Sequence, residues 1–514
     1  MARSICLSLL VLLLSSTNLF AGKQSPATLG DLIAAGLEKN LGLTIVRHDI
    51  AVSQEAITIA DAAFDPQLSA STGFSRSRTP YEASVTSATA SDSEDYQARV
   101  ALERTLKTGL TASVALDSTW SSDNDLTNNL DPSYRSALIL ELNQPLLRNF
   151  GTDVNTTATQ QARIATKQAE LSWLYQAQGL ALEMESLIRR IAGAARIVQL
   201  RRDAETLAGE LYRANQLRYE AGLIPVTELQ EAETALANRQ LNLSLALQSR
   251  DLLVEQLNRQ FSLALPAGFD PLSLLAAEPD VTTVYNDLDA LFEKAVDKRL
   301  DLKINRYATD AGQREKLYRE NQLKPQLDLQ LQAGLNGLSG HDRGIVGGSA
   351  FERNWPDSFG SLASADGFQW SAGLVYSIPL GQRAAKARVR QAELDISRSR
   401  YRQQDLEVQL KDELRQQQIN ISRSGEQLEL ARRFAELAQT SLNQEQRRLE
   451  EGLSDTFRMI SFQDNMIEAR IGQLNAMTNY QLALAQMEFV RGNMFERHDI
   501  ILTADAQELK LEDF

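Results

Sequence analysis

Asp153 to Ala221 reads as one helix, and it closes on Tyr219-Glu220-Ala221-Gly222-Leu223-Ile224-Pro225. The stretch has no proline, few glycines, and an abundance of Ala, Leu, Gln, Glu and Arg. At about 1.5 Å per residue it would be roughly 100 Å long. An ordinary globular helix has roughly 11–12 residues, so no ordinary domain needs such a rod. A second rod, Ala384 to Glu451, closes on Gly452-Leu453-Ser454-Asp455. Two matched rods in one chain point to a device that spans a distance.

The chain has 514 residues and a net charge of -14, which argues against a nucleic-acid partner. Residues 1–22 read as a secretory signal, with Arg3 as the positive charge, Leu7 to Leu14 as the apolar run and Ala21-Gly22 near the cut. That run is too short to cross a membrane as a helix, and nothing after it approaches about 20 apolar residues. The only cysteine, Cys6, lies inside the signal. An exported, non-lipidated chain without disulfides is expected.

The chain repeats itself. Leu29 to Leu68 aligns without a gap on Leu288 to Leu327, an offset of 259 that pairs Leu41-Gly42-Leu43 with Leu300-Asp301-Leu302 and Pro66-Gln67-Leu68 with Pro325-Gln326-Leu327. Gln144-Pro145-Leu146 matches Ile378-Pro379-Leu380 at an offset of 234, and Gly222-Leu223 matches Gly452-Leu453 at 230. Each half reads helix, strands, long helix, glycine turn, long helix. The first repeat is expected over 23–265, with strands in 66–147 and long helices 153–221 and 225–261. A linker, 266–287, carries Pro266, Pro271 and Pro279. The second repeat, 288–490, has strands in 325–380 and long helices 384–451 and 455–490. An acidic tail, 491–514, is expected to pack with the linker around the middle of the rods.

Leu327, Leu329, Leu331, Ala333 and Leu335 alternate with Gln326, Asp328, Gln330, Gln332 and Gly334, and Phe368 to Ile378 alternates likewise. The same reading fits Leu68–Phe74, Tyr96–Leu106, Leu110–Trp120 and Tyr134–Leu146. Such alternation makes strands with one apolar and one polar face. A soluble sandwich would also alternate. Strands of ten or more residues whose ends carry Trp120, Tyr134, Phe368 and Trp370 fit a membrane β-barrel with an aromatic girdle better. Long polar loops are expected at Ser77–Asp95, Ser121–Ser133 and Asn336–Gly367, opposite the tight turn Lys107-Thr108-Gly109. Between its prolines the first repeat has 79 residues (Pro66 to Pro145) and the second 54 (Pro325 to Pro379). The excess is about one hairpin, which implies four strands in the first repeat and two in the second.

The helices keep a period near 3.5. Leu229, Ala232, Leu236, Arg239, Leu243, Ala246, Arg250, Leu253 and Leu257 form one seam; Leu180, Met184, Leu187, Ile191, Ala194 and Val198 form another; Leu428, Ala431, Ala435, Ala438 and Leu442 form a third. Thin seams of small residues describe helices packed side by side in a single-layer wall. A fibrous coiled coil would share the seams but not the strands.

The duplication, Asp65-Pro66-Gln67-Leu68 opening the strands, Gln144-Pro145-Leu146-Leu147-Arg148 leading into the rod, and the turns Tyr219-Glu220-Ala221-Gly222-Leu223 and Leu449-Glu450-Glu451-Gly452-Leu453 together resemble the TolC-like outer membrane efflux proteins. The resemblance covers essentially all of the chain after the signal. It implies an α+β membrane protein of a Gram-negative outer membrane: a homotrimer whose transmembrane β-barrel is continued through the periplasm by a twelve-helix coiled-coil barrel. It implies a passive exit duct for efflux or type I secretion, with a periplasmic adaptor and an inner-membrane pump of RND, ABC or MFS type as partners. Gly222, Leu223, Gly452, Leu453 and Ser454 would then form the periplasmic tip where the adaptor docks, and Glu228, Asp455 and Arg458 would act at the gate. Two departures stand out. The family usually has two strands per half, whereas six strands per chain would give eighteen per trimer. Where some members carry acids after the second turn, this chain has Arg458 and Ser461, with Asp455 and Asp464 nearby.

Signs of chemistry are missing. His48, His341 and His498 lack metal-ligand spacing and read as surface residues, and Gly344, Gly347 and Gly348 sit in a polar loop without a following helix. No cofactor, metal or catalytic residue is expected. A passive diffusion pore and a periplasm-spanning structural coiled coil are the competing readings.

Overall fold

The structure, a computed structural model, describes residues 28–80, 90–125, 128–263, 287–344, 350–365 and 367–502. The expected signal segment, almost all of the linker, the tail beyond residue 502 with Phe514, and Gly347 and Gly348 lie outside the described residues.

The first repeat runs α1 (Leu29–Lys39), α2 (Leu41–Asp61), β1 (Gln67–Pro80), β2 (Ala90–Thr105), β3 (Thr111–Asp123), β4 (Leu130–Pro145), α3 (Thr152–Asn155), α4 (Thr157–Glu220) and α5 (Val226–Phe261). The second runs α6 (Leu288–Lys298), α7 (Leu300–Asn321), β5 (Gln326–Asp342), α8 (Trp355–Ser364), β6 (Gly367–Ser377), α9 (Arg383–Glu450), α10 (Thr456–Val490) and α11 (Met494–Arg497). The chain forms two compact units, and each repeat contributes to both. One is Ile50–Ala169 with Asn305–Arg402; the other is Met1–Asp49, Glu170–Ile304 and Gln403–Phe514.

The first unit holds a single antiparallel sheet in the order β1-β2-β3-β4-β5-β6. Its register puts most of the large apolar residues of all six strands on one face. Val100 pairs with Leu116, Leu116 with Leu138, Leu138 with Leu335, and Leu335 with Phe368. Phe74, Tyr96, Trp120 and Tyr134 make another row two further along the same face, with Phe74 and Tyr96 rings 4.6 Å apart and Tyr96 and Trp120 rings 5.1 Å apart. Trp120 and Tyr134 of the expected girdle thus share one row, whereas Phe368 and Trp370 stand opposite Leu335 and Ala333 in two others. The opposite face is polar, with Arg99 bound to Asp117 at 3.0 Å and Gln332 donating to Glu141 at 3.1 Å.

Three expected loops are shorter than their polarity suggested. β1 runs on to Pro80, β2 starts at Ala90, β3 reaches Asp123, β4 starts at Leu130 and β5 reaches Asp342. Cross-strand charge pairs, such as Arg76 with Asp92 and Glu94 at 3.1 Å each, extend the ladder where apolar alternation has stopped. The loop expected over Asn336–Gly367 contains α8, which starts with Pro356 in its first turn and with Asp357 accepting from the Asn354 amide at 3.0 Å. The first rod is also broken, at Thr156. There the Asn155 amide group donates to the Asn149 and Gly151 carbonyls, and the Thr156 hydroxyl donates to Thr152, bonds that compete with the helix ladder.

In the second unit every seam residue is buried or half-buried, as the spacing requires. Met184, Ile188 and Ile191 of α4 and Leu257 and Phe261 of α5 are fully buried with Ile33 and Leu37 of α1. A methyl group on Gly36 would run into Met184, so glycine lets α1 approach α4 closely. The second repeat builds the equivalent core from Ala295, Leu302, Leu410, Leu414, Ile421, Leu428, Tyr480 and Met487. Each fully buried Leu or Ile contributes roughly 1.5–3 kcal/mol, and this, more than helix propensity, is what holds the long helices.

Candidate functional site: the helical turns

Both rods end in the same way. Gly222 has φ +71° and Gly452 φ +75°, a conformation that costs glycine nothing. The Leu223 amide donates to the Arg218 carbonyl at 2.8 Å and the Gly222 amide to Tyr219 at 2.9 Å; Leu453 and Gly452 repeat the pattern on Arg448 and Leu449 at 2.7 and 3.1 Å. These are Schellman motifs, closing the orphan carbonyls of the last turn. A third, absent from the sequence reading, ends α10: Gly492 has φ +75°, and Gly492 and Asn493 donate to Phe489 and Glu488. Leu223 is 74% and Leu453 65% exposed, so both turns present a bare leucine.

Beneath the leucines lies a polar knot. Asn215 of α4 donates to the Thr456 hydroxyl at 3.0 Å and to the Glu228 carbonyl at 3.3 Å, and the Thr456 hydroxyl donates to the Glu228 carboxylate at 3.1 Å. Asn215 and Thr456 are buried, so these bonds join α4, α5 and α10 away from water. Asp455 does something different. It caps α10 by accepting from the Arg458 amide at 2.8 Å, and the Arg458 side chain reaches it only at 4.0 Å, with both side chains more than half exposed. Glu228 therefore meets Thr456, and Asp455 and Arg458 meet each other. Ser454 donates to the buried Glu445.

Two further ties stitch the hairpins together. Arg239, buried in the α5 seam, is paired with Asp464 of α10, and Arg201 of α4 reaches Glu468 at 2.9 Å. An arginine at a seam position is the signal for such a tie, because a charge is buried only with a partner. Asn215 and Thr456 carry no comparable sequence signal.

Far along the rod from the turns, Glu185 is wholly buried among Arg189 at 2.8 Å, Arg497 at 3.3 Å and His498 at 2.9 Å. Burial alone would raise its pKa. The His498 hydrogen bond and the charges of Arg497 and Arg189 outweigh burial and hold it down at about 2. His498 is thus a buried tether of the chain after α10, not the surface residue its sequence suggested; its 313-residue separation from Glu185 hid the contact. Among the described residues no cluster has the makings of a metal site, and no helix is long and apolar enough to cross a membrane.

Residues 32–260 match the model of the outer membrane efflux protein family. No curated protein matches the chain. Among solved structures, the Campylobacter jejuni CmeC outer membrane channel is similar at a TM-score of 0.60 and 13% identity, over 96% of this chain and 93% of that one. The outer membrane protein VceC of Vibrio cholerae is similar at a TM-score of 0.58 and 14% identity, over 91% of this chain and 96% of that one. A membrane protein from Pseudomonas aeruginosa gives a TM-score of 0.60 at 16% identity, over 90% of both chains. The family match covers most of the first repeat, and the chain as a whole has the fold of these solved outer membrane proteins.

Proposed function

We propose that the protein is the outer-membrane exit duct of a tripartite efflux or type I secretion system, a passive conduit closed at its helical turns and driven by an inner-membrane pump. The observation that carries this reading is that single chains leave matching surfaces without partners. β1 and β6 are the two open edges of the sheet, and β1 is exposed along its whole length. Long open edges invite further strands, and a closed ring removes them. The rod α9 carries a second, exposed apolar stripe, Leu394, Tyr401, Val408, Ile419, Leu430 and Leu437, spaced by seven and eleven residues along one side. Three copies joined edge to edge would bury both features and give an eighteen-stranded barrel.

The exposed Leu223 and Leu453 are the docking points for a periplasmic adaptor, together with Gly222, Gly452 and Ser454. The Asn215–Thr456–Glu228 knot holds the turns closed, with Asp455 and Arg458 at its edge. Opening is a sliding of packed helices that breaks this knot. Single-channel recording in lipid bilayers tests the reading. Low conductance that rises when Thr456→Ala and Arg239→Ala cut the ties is expected. A wide, permanently open pore would indicate a passive diffusion channel, and no conductance in any variant a structural coiled coil.

A further inference from the structure

The short helix α8 does not sit in a water-filled loop; it lies on the apolar face of the sheet. The Trp355 indole donates to Ser118 at 2.9 Å, the Ser358 and Ser136 hydroxyls are 2.7 Å apart, and Ser339 donates to the Asn354 carbonyl at 3.0 Å. Gly337 completes the seat, since a methyl group there would run into the Ser358 carbonyl. Ser118, Ser136 and Gly337 stand in one row of β3, β4 and β5, next to the row of Tyr96, Trp120 and Tyr134. Set between the Leu116–Leu138–Leu335 row and the Tyr96–Trp120–Tyr134 row, these are a small polar notch, and α8 fills it.

We propose that α8 is an interfacial membrane helix, seated on the lipid-facing surface of the sheet with Trp355 and Phe359 against lipid. The proposal rests on the reading of that face as the outside of a barrel. Serine hydroxyls aimed at hydrocarbon would be left without partners, at a cost of a few kcal/mol each. α8 supplies partners for Ser118, Ser136 and Ser339, and small residues permit its close approach, as at helix contacts inside membranes. Ser358 and Leu362 face the sheet and are buried. Trp355 and Phe359, one turn apart with rings 5.5 Å apart edge-on, form one flank, while Asp357 and Ser364 lie on another. Trp355 remains 49% exposed. An indole with one end bonded and the other bare suits the boundary between headgroups and acyl chains, and so does a helix with aromatic and acidic flanks.

The test uses the full chain in vesicles of phosphatidylcholine brominated on its acyl chains, which quench tryptophans that touch them. Trp370, 73% exposed on the same face, is the control. Trp355→Phe should remove a share of the quenchable emission, as Trp370→Phe does. Unchanged quenching in Trp355→Phe with a loss in Trp370→Phe overturns the proposal while leaving the lipid-facing sheet standing; that outcome would mean α8 is covered by protein or water. No loss in either variant overturns both. The sole cysteine, Cys6, lies in the expected signal, so Phe359→Cys can carry a single spin label. Collision with oxygen in preference to an aqueous nickel chelate is expected, and the reverse preference overturns the proposal.

Discussion

The two repeats build the same joint with opposite chemistry. Asn40 and Arg299, equivalent at the offset of 259, are the residues that end α1 and α6. Asn40 makes a neutral joint: its amide donates to the Gln260 carbonyl at 2.9 Å and accepts from the Leu43 amide at 2.8 Å. Arg299 makes a charged one, with Asp301 at 2.6 Å and Glu413 at 2.8 Å. Backbone geometry does not dictate which is used; what matters is that a buried polar group at this corner finds partners. The charged version carries more risk, because removing one member strands the others.

That contrast can be broken by mutation. Arg299→Ala should destabilise the fold by about 3 kcal/mol or more, since it leaves Asp301 and Glu413 without their cation. Denaturant unfolding that shows Arg299→Ala no worse than Asn40→Ala would remove the distinction. Glu185→Gln tests a second buried carboxylate cluster. A folded pKa near 2 against a reference of 4.5 makes the carboxylate's contribution fully present above the reference value and lost as pH falls towards 2. The variant should therefore be weaker by roughly 3 kcal/mol at neutral pH, with the gap to the parent narrowing between about pH 4.5 and 2. A gap independent of pH would show that shape, not charge, holds the segment after α10. Asn40→Ala should cost about 1–2 kcal/mol. The smallest effect on stability belongs to the exposed leucines: Leu223→Asp and Leu453→Asp should leave unfolding within about 0.5 kcal/mol of the parent while abolishing export. Export lost in only one of them would show that the two turns, alike in backbone, are unequal in docking.

Much of this architecture was readable in the residues. The seams at Met184, Ile191, Leu257 and Leu428 are buried as their spacing implied, and the 25-residue excess of the first repeat became the β2–β3 hairpin. Arg239 announced a partner by standing in a seam. Other features were hidden for physical reasons. α8 follows a polar stretch, and its signal lay elsewhere, in Ser118, Ser136, Gly337 and Ser339 interrupting an apolar face. Thr456 and Asn215 are small polar residues whose burial depends on which helices meet. Where the first repeat spends its extra length on a hairpin, the second places a helix upon the sheet.

The two open edges of the sheet have a genetic consequence. If rings form by joining the β1 edge of one copy to the β6 edge of the next, a copy with a ruined edge is still incorporated through its sound one. Every ring it enters is then defective. Alleles that damage one edge should be dominant over the parental gene in the same cell, whereas alleles that prevent folding altogether should be recessive.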